Sequence, residues 1–413
     1  MGLISLAEIR QQFPALAREL NGQPVAHFDG PAGSQVPWRV ADAVSGYLLK
    51  TNANRGALFA TSRESDELLE DAHHVLADFL GATDPGAIVF GANMTSLTLH
   101  LSRALSRSWQ AGDEILVTQL GHDANVTPWK LAARDAGATV KSVGIHPEDC
   151  TLDMDDFRRK LTEKTRLVAV GYASNAVGTI NPLPEMIAAA HAVGAEVFVD
   201  AVHFAPHGPI DVIALDCDFL AVSAYKFFGP HVGVLYGKRE RLEDLQPYKL
   251  RPAPDSLPGR WMTGTQSHEG IAGAVEAVRY LESFGKPFCR DGTRRETLVA
   301  GMGMIAEIER KNCEFLLTNL AELPRIRIWG ITDPSRMSER VPTISITHES
   351  KTPQELATKL GERGLFCWAG NHYALPLTEA LGLEPHGTLR IGLLHYNSHE
   401  EIERLLATLT ELV

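Results

Sequence analysis

The chain has 413 residues, long enough for a large core and about two domains. Hydrophobic residues make up 44% and charged residues 22%, an ordinary globular balance, and the net charge of −12 argues against the basic face of a nucleic-acid binder. No apolar run nears the ~18 residues of a membrane span, and Glu8 and Arg10 interrupt the N-terminal stretch where a secretory signal needs an apolar core. We therefore expect no membrane or nucleic-acid partner and a cytoplasmic location. Cys150, Cys217, Cys289, Cys313 and Cys367 are scattered, with no CxxC pair or Cys/His ligand spacing, so reduced thiols and no structural metal are expected.

In chain order, residues 1–30 form an N-terminal segment expected to be helical over 6–20 and to pack with the C-terminal unit. A second helix over 64–80 places Leu68, Leu69, Ala72, Val75, Leu76 and Phe79 on one face. Short apolar strands then alternate with helical stretches: 88–90, 114–117, 139–143, 167–170, 197–199, 219–222 and 232–236. Seven such runs, mostly joined by helices, predict an α/β fold with a large, mostly parallel sheet buried on both faces, in a domain spanning 31–270. Residues 271–413 read as one long helix and a smaller α+β unit with strands at 325–328, 342–346, 365–368 and 388–391. A last helix begins near Ser398 with Glu400 and Glu401 in its first turn.

Two of the apolar strands end in chemistry. One runs into Asp200, and the other into Lys226, followed by Gly229 and Pro230. In open sheets of this kind ligands bind beyond the carboxyl ends of the strands. An acid and a lysine there are what pyridoxal 5'-phosphate (PLP) needs. The lysine amine bonds to the cofactor's aldehyde. The acid keeps the pyridine nitrogen protonated, so the ring can accept electrons. The cofactor's dianionic phosphate calls for hydroxyls and N–H groups at a helix start. Met94 and Thr95, just after the first strand, stand at such a start.

Seven stretches in order carry a resemblance: HFDGPAGS at 27–34, NRG at 54–56, HDANVTPW at 122–129, SNAVGTINP at 174–182, DAVH at 200–203, SAYK at 223–226 and RIGLLHYN at 390–397. Together they resemble the class V aminotransferase group of fold-type I PLP enzymes, in its cysteine desulfurase and selenocysteine lyase branch, from about Phe13 onward. The resemblance implies the following roles. Thr95 and Ser223 hold the phosphate, and Tyr225 stands where relatives often have His. His122 stacks on the pyridine face and is a proton-transfer candidate. His203 donates to the 3′-oxygen, where relatives often have Gln. Thr265 contacts the phosphate of a second subunit, so a homodimer is expected. Arg390 binds the carboxylate of an amino-acid substrate, Asn175 assists it, and Arg55 is a second cation near the entrance.

One loop departs from the resemblance. Persulfide-forming relatives read roughly Arg-x-Gly-x-His-Cys-Ala-x-Pro, whereas this chain reads WAGNHYALP at 368–376. Tyr373 stands at the cysteine position and Trp368 at the arginine position, with His372 between them; Trp368 and His372 are expected to line the substrate pocket, and His372 is a further acid/base candidate for epimerisation. A phenol cannot carry a persulfide, and Cys367 falls in an apolar, strand-like run. We therefore expect a desulfurase-like enzyme without the persulfide cysteine. Lys226, with His122 or Tyr373 as acid/base groups, then supports β-elimination of a cysteine-derived substrate, transamination or α-carbon epimerisation. Elimination is favoured. A non-catalytic PLP-binding partner is the alternative from another class, but lysine, acid and arginine are all present.

Overall fold

The computed structural model describes residues 4–413. The first helix, α1 (Leu6–Gln11), is shorter than the expected span 6–20. Phe13 precedes Pro14 and is extended (φ −111°, ψ 97°), because the proline ring clashes with a helical residue before it. The second expected helix is α2 (Ala60–Leu80), which closes at Gly81 with φ 73°.

The large sheet has seven strands: β1 (Ile88–Gly91), β2 (Glu114–Thr118), β3 (Thr139–Val143), β4 (Thr165–Gly171), β5 (Glu196–Asp200), β6 (Phe219–Ser223) and β7 (Gly233–Gly237). Their order is β1-β7-β6-β5-β4-β2-β3. Pairings from β6 across to β3 are parallel, while β7 runs antiparallel to both neighbours. Helices α3 (Met94–Leu105), α4 (Thr127–Ala136), α5 (Met154–Lys160) and α6 (Leu183–Ala192) bridge successive strands.

Alternation along each strand sends side chains to two separate cores. Leu116, Val168, Val170, Val197, Val199, Leu220 and Val222 pack in one. Ile115, Val117, Leu167, Ala169, Phe198, Phe219 and Ala221 pack in the other, against Leu97 and Leu101 of α3 and Trp129 of α4. Both faces are dry, so the polar ends of the strands are where chemistry can sit.

The expected single long helix is two, α7 (His268–Gly285) and α8 (Arg294–Ala321). They touch backbone to backbone. A Cβ at Gly285 would lie 1.8 Å from the Thr297 carbonyl oxygen, and one at Gly301 would lie 2.7 Å from that of Leu281. A four-stranded antiparallel sheet follows: β8 (Ile326–Trp329), β9 (Thr343–His348), β10 (Trp368–Gly370) and β11 (Thr388–Gly392), ordered β8-β9-β11-β10. The expected strand 365–368 is divided. Leu365–Phe366 pairs in parallel with Ala26–His27, whereas β10 pairs with β11, so Cys367 passes the chain from one sheet to another. The last helix, α9 (His399–Leu412), starts with a capping box between Ser398 and Glu401.

Candidate active site

Asp200 is the last residue of β5, and Lys226 closes a short 3-10 turn after β6. These adjacent parallel strands bring both to the rim of a cavity of about 560 Å³. Met94, Thr95, His122, Asn175, His203, Ser223 and Tyr225 line the same cavity.

Lys226 is buried, and its Nζ donates to the carbonyl of Pro31. Burial first, then the positive charge of Arg390, pull its amine down to about 7, against the pull of Asp200 and Asp29. A sizeable neutral fraction, the nucleophilic form, is thus present near neutral pH. Burial pushes the Asp200 carboxyl up to about 6, opposed by the N–H of Val202, which donates to Oδ1 at 3.0 Å, and by Lys226. The carboxylate is still mostly ionised at pH 7 and suits a protonated ring nitrogen.

The opposite end is built for an anion. Asn93 caps α3, its Oδ1 accepting from the Ser96 N–H at 2.9 Å. The Ser223 hydroxyl accepts from the Met94 N–H at 3.0 Å and keeps its own proton to donate. A Cβ at position 233 would lie 2.5 Å from the backbone of Asn93, so Gly233 is what lets β7 lie against this helix start.

His122 accepts from the Ala124 N–H at Nδ1, 3.0 Å away, which leaves Nε2 protonated. Burial first and then Lys226 hold its imidazole down to about 4, so it is neutral at pH 7. The ring of Tyr373 stacks on it, with centroids 5.6 Å apart and planes 17° from parallel. The Tyr373 loop is pinned by its backbone: the Asp123 N–H donates to the Tyr373 carbonyl at 2.7 Å, and Asn175 Nδ2 to that of His372 at 2.8 Å. His372 and Tyr373 both have left-handed φ, 57° and 56°, a strained state for non-glycine residues that packing must hold.

Arg390, in the middle of β11, is buried. One guanidinium nitrogen donates to the Asn175 carbonyl at 2.9 Å, while Nε has no partner, as does Asn175 Oδ1. Burial draws its pKa down to about 9. A buried cation with no carboxylate bound is poised to receive one.

Arg390 reaches the cavity through Asn175 and is not itself in its lining, and five other expected residues lie elsewhere. Arg55 is not a free cation at this entrance: it pairs with Asp66 at 3.1 Å in a separate cleft of about 990 Å³, which Thr265 also lines. Trp368 sits opposite Arg390 in register but is half-exposed, in a shallow cleft of about 280 Å³ beside Asp29 and Tyr225. His372 does not line the cavity; it turns toward β11, with Nε2 3.0 Å from the Thr388 hydroxyl. Tyr373 is also outside the cavity lining and is mostly exposed.

Sequence reading missed other residues here. His231 stacks on Tyr225 at 5.0 Å and lines the cavity; its signal was its place directly after Gly229 and Pro230. Asp29, in the HFDGPAG stretch, has a buried Oδ1 3.8 Å from His27 Nδ1 but without a hydrogen bond, and acts electrostatically on both Lys226 and Arg390.

The model of the class V aminotransferases matches residues 26–405. A cysteine desulfurase of Salmonella agona (strain SL483) is 30% identical over 98% of this chain and 97% of its own length. Among solved structures, an apo cysteine desulfurase of Thermococcus onnurineus NA1 superposes with a TM-score of 0.88 at 28% identity, covering 100% of this chain and 98% of that one. A cysteine desulfurase of Escherichia coli in its S-sulfonic acid form gives 0.84 at 27% identity, over 99% and 98%. The chain belongs to the class V aminotransferase family. It is a cysteine desulfurase-like enzyme, and its cofactor is PLP. The cavity fits that group: a partly neutral lysine, an ionised acid across from it, and a helix start with hydroxyls for the phosphate.

Proposed function

We propose that this enzyme catalyses β-elimination on a cysteine-derived amino acid, a C–S lyase reaction, and forms no persulfide. Bound PLP supplies an electron sink that acidifies the substrate's α-hydrogen. Asp200 would hold its pyridine nitrogen, Ser223, Met94 and Thr95 its phosphate end, His203 its 3′-oxygen and His122 its face. Arg390 and Asn175 take the substrate carboxylate, and the Lys226 amine removes the α-proton. The carbon–sulfur bond then breaks with its electron pair on sulfur, which takes a proton from Tyr373, whose ring reaches the cavity wall by stacking on His122. The released unsaturated amino acid hydrolyses to pyruvate and ammonia. At about 4, His122 holds too little imidazolium at pH 7 to be that acid.

The observation that carries this reading is the placement of the cysteines. None of the five lines the Lys226 cavity. Cys150, Cys217 and Cys313 are buried, and burial pushes their thiols up, as it does that of Cys367. Cys289 lies in the cleft between α1 and the end of α7. Incubation with cysteine, cystine, cysteine thioethers and sulfoxides tests the reading: pyruvate, ammonia and a free thiol or its oxidised equivalent are expected. Alanine with a trappable persulfide on Cys367 would overturn it. A keto acid with pyridoxamine phosphate, or α-carbon inversion without sulfur release, would replace it with transamination or epimerisation.

The same proposal includes a homodimer in the cytoplasm. Thr265, outside the Lys226 cavity of its own chain, is available to a partner's phosphate site; light scattering should give twice the chain mass, and Thr265→Ala should weaken PLP retention. Among the described residues no helix is long and apolar enough to cross a membrane. Within the proposed division into 1–30, 31–270 and 271–413, the pairing of Ala26–His27 with Leu365–Phe366 supports the packing of the first segment on the C-terminal unit.

A further inference from the structure

His203 and His207 are four residues apart, just after β5. The Ala205 N–H donates to the Ala201 carbonyl at 2.9 Å and that of His207 to Phe204 at 2.8 Å, winding one helix-like turn. That turn puts the two rings together, centroids 5.3 Å apart and planes at 71°. Behind His207 lies Glu309 of α8, with 1% of its surface exposed. Glu309 Oε2 is 2.7 Å from His207 Nδ1, and Oε1 accepts from the backbone N–H of His395 at 3.0 Å. Among the described residues no lysine or arginine pairs with this carboxylate, and a lone buried one is costly. Its only side-chain partner is therefore the histidine next to the one that lines the cavity. On the other side, His203 Nε2 lies 2.9 Å from the hydroxyl of Thr343 on β9. Nδ1 is the ring nitrogen left for the cavity.

A glutamine at position 203 would carry an unambiguous donor. A histidine donates from Nδ1 only if its other nitrogen is the acceptor, so its tautomer must be set by what it touches. We propose that Thr343 and the His207–Glu309 pair are positioning residues: the Thr343 hydroxyl donates to His203 Nε2, and His207, held by Glu309, packs the ring in place, so that His203 presents an Nδ1–H donor to the cofactor's 3′-oxygen. This rests on the PLP reading of the cavity. Burial first, and then the neighbouring His207, Lys226 and Arg390, hold the His203 imidazole well below its usual range, as a neutral donor requires. Thr343 and Glu309 come from outside the large sheet, so the cofactor contact is made only when the C-terminal elements are docked.

The test begins on ligand-free protein with ¹⁵N-labelled histidine, whose long-range ¹H–¹⁵N correlations distinguish the two tautomers. His203, assigned with His203→Gln, is expected as the Nδ1–H form in the parent and in Thr343→Ser. In Thr343→Val it should move toward Nε2–H. PLP affinity should fall about tenfold in Thr343→Val, the order expected for one charge-assisted hydrogen bond, and recover in Thr343→Ser. In the His203→Gln background, Thr343→Val should have no further effect on PLP affinity, whereas a merely structural role would persist there. Glu309→Gln should lower PLP affinity severalfold; if it fails to fold, the Thr343 series decides alone. An Nε2–H tautomer in the parent, or unchanged PLP affinity in Thr343→Val, would overturn the proposal. If the parent protein binds no PLP at all, the cofactor reading fails instead, a result separate from the tautomer.

Discussion

The ends of β5 and β6 line the Lys226 cavity, and the loop 371–374 borders it through the stacking of Tyr373 on His122, but the two are built in opposite ways. Asp200 ends one of two adjacent, fully buried parallel strands, and Lys226 follows the other by one short turn. Tyr373 is 73% exposed, lies in a left-handed conformation and is held there by hydrogen bonds of backbone groups. The strand ends prepare cofactor chemistry that many reactions share, whereas the loop is where a reaction can be chosen without disturbing the core.

The contrast can be broken most sharply at Lys226. Lys226→Ala should abolish borohydride fixation of PLP to its peptide and slow any turnover by about 10⁴-fold, whatever the loop carries. Next in size is Arg390→Ala. It should leave PLP bound but lose roughly 2–5 kcal/mol of amino-acid binding, measured as the concentration needed to perturb the cofactor spectrum. Unchanged kinetics would remove Arg390 from the carboxylate site. Tyr373→Phe touches only the loop. It should leave cofactor loading intact and slow elimination by about 10²-fold, the low end for a general acid; an equal loss of PLP binding would mean that the loop belongs to the scaffold after all.

The smallest effect is on pH. The Lys226 amine, lowered to about 7, is protonated below that value and neutral above it. PLP uptake by ligand-free protein should therefore slow about tenfold per pH unit below 7 and level off above it. Since Arg390 is the second cause of the lowering, Arg390→Ala should move the inflection upward. Stopped-flow absorbance checks both.

Most of the scaffold was legible in the residues. The strand-forming runs are apolar and short, their acid and lysine fall at carboxyl ends, and the parallel sheet follows from alternation with helices. Local chemistry also set the Ser398 cap. What misled was continuity. The expected first helix ran through Phe13-Pro14 and the expected long helix through residues 286–293, where Pro14, and Pro287 with Asp291-Gly292, interrupt them.

Which residues meet around Lys226 was only partly written in the chain. Residue type and strand position sufficed for Lys226, Asp200, Ser223 and the start of α3, because a strand end or helix start points its groups in one direction. Arg55 pairing with Asp66, His372 turning to Thr388, and Glu309 reaching His207 from 102 positions away were decided by tertiary packing alone. A charge or imidazole takes whatever partner folding delivers, and the sequence distance to that partner carries no signal.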